Sequence, residues 1–381
     1  MTDILAQRDR LAALREIFLA NLIMTAEIPA PTFGEDVRAR FMLQRFSEAG
    51  LPGGSLDEAG NAAVVLPGSD PERHVLVVAH TDTVHAAEID HAVAVQPDRV
   101  IGPGIGDNSA GVAAVITLPR ILHTLGIELR STLVLLGAGR SLGHGNLDGL
   151  RFFLEHAAFP VAAGICVEGV ELGRLSHASI GMLRGEIVCR VPRDYDWTRF
   201  GAAGAIAMIN EVVLGIQGIP LPRRPRTQIV LGQISGGTAF NRVARSARLR
   251  FEVQSECATT LADIERRIQD ILGEIQYRMR ATASLDVVAR RDPGGLPFTH
   301  PHVQHARAIL QALGVEPRIA PSTSELSAFI HRGIPALTVG LSRGENIGEP
   351  NESVFIDPCF AGLAQLVALL QAVDGGDDDE S

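Results

Sequence analysis

Lysine is absent from this chain of 381 residues, and all 34 basic side chains are arginine. That excludes an amine nucleophile that forms a Schiff base, hence pyridoxal chemistry, and it excludes a Walker P-loop. Cysteine is scarce. Cys166, Cys189, Cys257 and Cys359 lie far apart with no C-x-x-C pair, so buried thiols in a reducing compartment are expected. Basic charge is also in deficit: 34 arginines face 44 acidic residues, a formal net charge of −10. This argues against a nucleic-acid partner. No apolar run reaches about 18 uninterrupted residues, so no membrane span is expected. The stretch from Met1 to Glu16 is charged throughout and lacks the apolar core of a signal sequence. Together these absences point to a cytoplasmic protein.

What is present suits two domains around a large core, with 46% hydrophobic residues. Residues 3–25 and 34–49 carry apolar side chains at helical spacing on either side of "PAPTFG". Strand-like runs follow at Ala62–Leu66 and Val75–Ala79, then a helix at Asn108–Leu125, a strand at Thr132–Leu136, a helix at Asn146–His156 and a strand at Ala163–Val167. This alternation predicts an α/β sheet with parallel strands. Near residue 182 the rhythm changes. Strands at Met182–Arg190, Gln228–Ile234, Ala247–Gln254 and Ser284–Val288, with helices at Trp197–Ile216 and Thr260–Arg278, give a β-α-β-β-α-β order. That is the signature of a ferredoxin-like α+β unit. After the Pro/Gly-rich "RRDPGGLPFTHP" the α/β pattern resumes, with a strand at Ala336–Gly340 and a helix at 359–373. The chain thus reads as an α/β domain (1–181 and 293–376) interrupted by an insert (182–292), with an acidic tail at 377–381.

Three candidate ligands fall at strand or turn ends. "VLVVAHTD" closes a buried strand with His80 and Asp82, two residues apart and so on one side of an extended chain. One can hold a metal while the other orients it. "GPGIGDNSAGVAAV" delivers Asp107 through a glycine-rich turn to a helix start, where the helix dipole favours a carboxylate. "ICVEG" sets Glu168 at a further strand end. The carboxyl ends of parallel strands are where such folds bind ligands. Between them lies "GAGRSLGHG", whose Gly139-Arg140-Ser141-Leu142-Gly143 satisfies G-x-S-x-G. It admits Ser141 as a hydrolase nucleophile, with His144 or His85 as base, or as a small residue in a tight turn. No HGGG-type oxyanion segment precedes it.

The motifs "AHTDTV", "GPGIGDNSAGVAA", "GNLDGLRFFL", "VEG", "SIGMLRGEI", "GQISGGTAFNRVA", "PSTSELSAFIHRGIPALTVG" and "NIGEPNES" resemble, in this order, the co-catalytic zinc metallopeptidases. That family includes aminoacylase, succinyl-diaminopimelate desuccinylase and glutamate carboxypeptidase. The resemblance implies a metallopeptidase-like α/β domain carrying an inserted ferredoxin-like lid that also dimerises. It implies that His80 binds a first zinc, Asp107 bridges two, and Glu168 completes the first site. The departures are specific. The family's adjacent glutamates, a general base and a ligand of the second zinc, align with Ser141 and Leu142, or with Arg140 and Ser141 after a slip of one residue. The last zinc-binding histidine aligns with Gly348. The family's "STDA" reads Ser322-Thr323-Ser324-Glu325. In the lid, the active-site histidine falls at Tyr195, the asparagine survives as Asn241, and the carboxylate-clamping arginine is Gln254.

These departures predict at most one zinc, at His80, Asp107 and Glu168, and no second zinc. They also predict loss of the ancestral peptidase activity, leaving a binding or scaffold role. Two alternatives stay open at this point. One is a mononuclear zinc amidase acting on N-acyl amino acids or small peptides with Glu171 or Glu325 as substitute base. The other is a serine hydrolase using Ser141. The expected partners are a second copy of the chain, paired through the lid, and a small peptide or N-acyl amino acid.

Overall fold

Four parallel strands organise the larger of two units. They are Ser131–Ala138, Asp70–His80, Val161–Glu168 and Ala336–Gly340, side by side in that order. Further strands extend the sheet to eight: Ala62–Leu66 and Ser55–Leu56 pair antiparallel on one side, and on the other Arg174–Ser176 pairs antiparallel and Arg318–Ile319 then pairs parallel with it. The computed structural model describes residues 4–193 and 203–375. The chain divides into this unit, which runs to Ser179 and resumes at Gly295, and a smaller one, Ile180–Gly294.

Both faces of the main sheet are covered, so its central strands are continuously apolar rather than alternating. Val75, Val77 and Ala79 pack on one face with Phe18, Phe46, Ile121 and Leu366, from helices Arg15–Ala26, Asp36–Glu48, Ala110–Leu125 and Ile356–Asp374. Leu76, Val78 and Cys166 pack on the other with Leu150, Leu326 and Phe329, from helices Asp148–His156 and Leu326–His331. Side chains alternate between faces along a strand. His80 and Glu168, two residues beyond Val78 and Cys166, therefore continue onto this second face. Helix Ile356–Asp374 has the length and hydropathy of a membrane span, but 67% of its apolar window is buried within the protein.

The smaller unit is an antiparallel sheet in the order Thr227–Gly236, Ser246–Ser255, Gly181–Arg190, Thr282–Arg291. Its helices Ala205–Gln217 and Ala258–Met279 cover one face, through Leu183, Ile187, Leu249 and Phe251 against Met208, Val212, Ile264 and Ile268. The opposite face carries the ion pairs Arg184–Glu252 and Arg250–Glu186. This is the expected ferredoxin-like order.

The structure corrects several boundaries. The helix expected over 3–25 is broken into Ile4–Leu11 and Arg15–Ala26 by a 3-10 turn at Ala12–Leu14. The helix expected from Trp197 begins at Ala205, and Trp197 lies outside the described residues. A further sheet was not anticipated: Gly344–Glu345, Ser353–Phe355, Arg99–Ile101 and Ala94–Val95. Its members have two or three residues each, too short for a period-2 pattern to register.

Candidate metal centre

His80 ends its strand with the ring buried. Its Nδ1 lies 3.0 Å from the Asp82 main-chain oxygen and 3.5 Å from Asp82 Oδ1. Its Nε2 lies 3.0 Å from Asp107 Oδ1 and 3.9 Å from Glu168 Oε2. An Nδ1–H directed at Asp82 leaves the Nε2 lone pair facing the two carboxylates. One ligand atom from each of His80, Asp107 and Glu168 lies within 4.8 Å of the others.

Asp107 reaches this point from a turn, not from a helix end. Its backbone is non-helical, at φ −114° and ψ 86°, and the regular helix begins only at Ala110. The helix dipole expected to favour this carboxylate therefore does not act on it, and direct hydrogen bonds hold the turn instead. The buried Glu352 carboxylate accepts the N–H groups of Gly106 and Asp107 through Oε1, both at 2.7 Å, and that of Gly348 through Oε2 at 3.1 Å. Pairing of Ser353 with Ile101 brings Glu352 to this turn. Asn108 completes the frame: its Nδ2 donates to Val167 O and its Oδ1 accepts from Gly169 N, both at 2.8 Å. The Asp107 turn is thereby tied to the residues flanking Glu168.

Asp82 is fully buried and does more than orient His80. It accepts the Thr32 hydroxyl at 2.8 Å, Leu142 N–H at 2.8 Å and Ser141 N–H at 3.2 Å. Glu35 accepts the preceding amide, Arg140 N–H, at 2.8 Å. Three successive amides of the Arg140–Leu142 loop thus point at two buried carboxylates, a nest for negative charge. Buried Arg38 stands close enough to act on both acids while donating to Ile28 O and Thr81 O.

The charge balance follows from these contacts. Burial alone would lower the His80 pKa, but hydrogen bonds to Asp107 and Asp82 outweigh it, and the ring is held well above its ordinary value. Burial would raise Asp82 and Asp107, yet the His80 imidazole draws both below the usual aspartate value. Glu168 is pushed up to about 7, first by burial and then by Glu325 and Asp107. One imidazole and two converging carboxylates form a donor set that fits a divalent cation.

The other predicted positions contribute no ligand. Ser141 is buried and its Oγ has no hydrogen-bond partner, so no imidazole is set against it as a base. Leu142 is half-buried and Gly348 has only a backbone to offer. The one-residue slip is no better, since the Arg140 guanidinium turns to Asp148 and Glu58 O. Glu171 is paired with Arg174. In the smaller unit, Asn241 lines a cavity of about 770 Å³ with Thr238, Arg242 and Arg245, and Gln254 bonds to Glu252 and Gln228. Tyr195 lies outside the described residues. Sequence reasoning missed Glu35, Arg38, Asn108 and the framing role of Glu352, which all read as ordinary polar residues until their burial is known.

The dipeptidase Dug1p of Saccharomyces cerevisiae superposes on this fold with a TM-score of 0.79 at 13% identity, over 98% of this chain and 99% of that one. The metallo-carboxypeptidase Sso-CP2 of Sulfolobus solfataricus gives 0.77 at 15% identity, over 94% and 99%. The acetylornithine deacetylase of Yersinia pseudotuberculosis is 24% identical over 146 residues, 38% of this chain and 37% of that protein. The sequence match thus spans little more than a third of that relative's length. The model of peptidase family M20/M25/M40 matches residues 76–372, and the chain belongs to that family.

Proposed function

We propose that this chain holds a single divalent cation, zinc by the character of its donor set, and has lost the hydrolytic cycle of its family. The Arg140–Leu142 loop carries this reading. It turns amides toward Glu35 and Asp82, and its side chains supply a guanidinium, an unpartnered hydroxyl and an isobutyl group. None of these accepts a proton near neutral pH, and general base catalysis is worth roughly 10²–10⁴-fold. His80 Nε2, Asp107 and Glu168 would hold the ion, with Asp82 fixing the imidazole. Such an ion acts as a Lewis acid toward a carbonyl or carboxylate oxygen. The matching ligand class is a small peptide or N-acyl amino acid, as the names of the relatives suggest for their own substrates.

The smaller unit is the proposed dimerisation element. Its edge strand Thr227–Gly236 leaves Val230 and Ile234 exposed, and among the described residues its outer edge is unpaired, which suits a second copy. A single-cation amidase is the second reading, favoured by one observation: buried Glu325 stands close enough to His80 and Glu168 to act on both electrostatically.

Elemental analysis of purified protein, paired with assays on N-acetyl amino acids and dipeptides, tests the proposal. One equivalent of metal, absent from His80→Ala, and no turnover are expected. Turnover that disappears in His80→Ala would overturn the loss of hydrolysis, and metal-free protein would overturn the cation.

A further inference from the structure

The cavity of about 770 Å³ in the smaller unit is lined by two arginines, Arg242 and Arg245, and by no acidic residue. In a chain with a net charge of −10 this is a local reversal of sign. Among the described residues neither guanidinium makes an ion pair or a hydrogen bond. Arginines on the adjoining strands differ: Arg184 pairs with Glu252, and Arg248 and Arg250 pair with Glu186. Those charges are answered within the sheet, whereas two like charges at one concavity repel until an anion answers them.

The loop that carries them is fastened at its base. It joins strands Thr227–Gly236 and Ser246–Ser255. Ala205 N–H donates to Ala244 O at 2.7 Å, and Val191 N–H donates to Arg245 O at 3.0 Å. Val243 closes on Gly204, where a Cβ would stand 2.8 Å from Val243 Cγ1. Gly237, at φ 79°, turns the chain out of the first strand in a conformation that favours glycine. These anchors fix Val243 and Ala244, and the arginines on either side stay exposed. Ser235, Thr238 and Ser246 bring hydroxyls to the same cavity.

We infer that this cavity binds the phosphoryl group of a small phosphomonoester, with Arg242 and Arg245 as its clamp. Such a group carries a charge of about −1.5 to −2 at pH 7 and three acceptor oxygens. Two guanidiniums match that charge, and their N–H groups fit phosphate oxygens in a bidentate fork. The hydroxyls supply the further donors that a third oxygen takes. A single carboxylate would leave one guanidinium unanswered. The volume exceeds what bare phosphate fills and lies in the range of small-molecule sites, so an organic remainder belongs there too. All of these groups come from the smaller unit, so the site does not depend on a cation at His80, Asp107 and Glu168.

The experiment is calorimetric titration of the metal-free full chain with glycerol phosphate and with N-acetylglycine, for wild type, Arg242→Ala, Arg245→Ala and the double variant. Saturable binding of glycerol phosphate, displaced by inorganic phosphate and weakened by added salt, is expected. Each single variant should bind it roughly 10-fold more weakly, and the double variant roughly 100-fold. Both side chains are exposed, so urea midpoints should match wild type, which separates a lost clamp from a lost fold. His80→Ala should bind glycerol phosphate as wild type does; loss of binding there would move the ligand to the metal centre and overturn the inference. No binding by wild type, or unchanged affinity in the double variant, overturns it too. So does tighter binding of N-acetylglycine than of glycerol phosphate, since the cavity would then serve the acylated amino acids already proposed as ligands.

Discussion

The positions His80, Asp107 and Glu168 and the positions Ser141, Leu142 and Gly348 belong to one frame, but they act through different parts of the residue. The first three converge through side chains, with Nε2 of His80 3.0 Å from Asp107 and 3.9 Å from Glu168. The second three act through main-chain N–H groups: Ser141 and Leu142 donate to Asp82, and Gly348 donates to Glu352. Those same acceptors steady the first group, since Asp82 orients His80 and Glu352 holds the Asp107 amide. The side chains at these three positions can therefore vary while the loops keep their shape. Through their amides they frame the first three. Gly348 goes further, with φ 83°, where an L side chain is strained. An imidazole there would have to overcome that backbone strain.

The comparison breaks most visibly at Asp82, the residue both groups share. Asp82→Ala should destabilise the chain by about 3–5 kcal/mol in urea unfolding, because it removes the carboxylate beside the His80 ring and leaves the Ser141 and Leu142 amides and the Thr32 hydroxyl without their acceptor. A loss confined to metal binding would show instead that the two groups are independent.

A smaller effect is the pH dependence of metal-free stability. His80 is raised above its unfolded value, so its contribution is complete below about pH 6.5 and disappears as pH rises through the folded value. Glu168, raised to about 7, acts in the same direction, losing its contribution as pH climbs from the ordinary glutamate value through 7. Asp82 and Asp107 are lowered and weaken the fold only as pH falls below the usual aspartate range. Metal-free protein should therefore lose stability from neutral to alkaline pH, by at most about 1.4 kcal/mol per pH unit for each proton. Added cation should flatten that slope by taking the place of the proton. A metal-free urea midpoint that rises with pH would contradict this charge balance.

The smallest effect is expected at Ser141. Its hydroxyl is buried without a partner, so Ser141→Ala should be neutral or stabilising by up to about 1 kcal/mol. Unchanged ligand binding would confirm that only the amide of this residue matters. Labelling of Ser141 by a fluorophosphonate, abolished in Ser141→Ala, would instead revive the nucleophile reading.

Local pattern was enough for the α/β rhythm and the ferredoxin-like insert, because buried parallel strands and amphipathic helices each carry their own periodicity. Strand Ala336–Gly340 matched residue for residue, and Val75–Ala79 grew only at its ends, to Asp70–His80. The candidate metal group was legible because strand ends in a parallel sheet share one edge, and two of its three residues sit at such ends. Asp107 was legible as a residue but not in its conformation. Turns rich in glycine leave several backbone paths open, and only its contacts with distant residues select one.

By itself, then, the sequence determined the order of the elements and the residue types offered at the candidate metal centre. Tertiary structure alone decided which polar groups are buried and what answers them. The Glu352–Asp107 bond joins residues 245 apart, and Asn108 reaches Val167 across 59. A glutamate in a polar loop reads as solvated until packing removes the water. Burial makes Glu352 a clamp, because a carboxylate's behaviour depends on its surroundings and a residue's letter records only its chemistry.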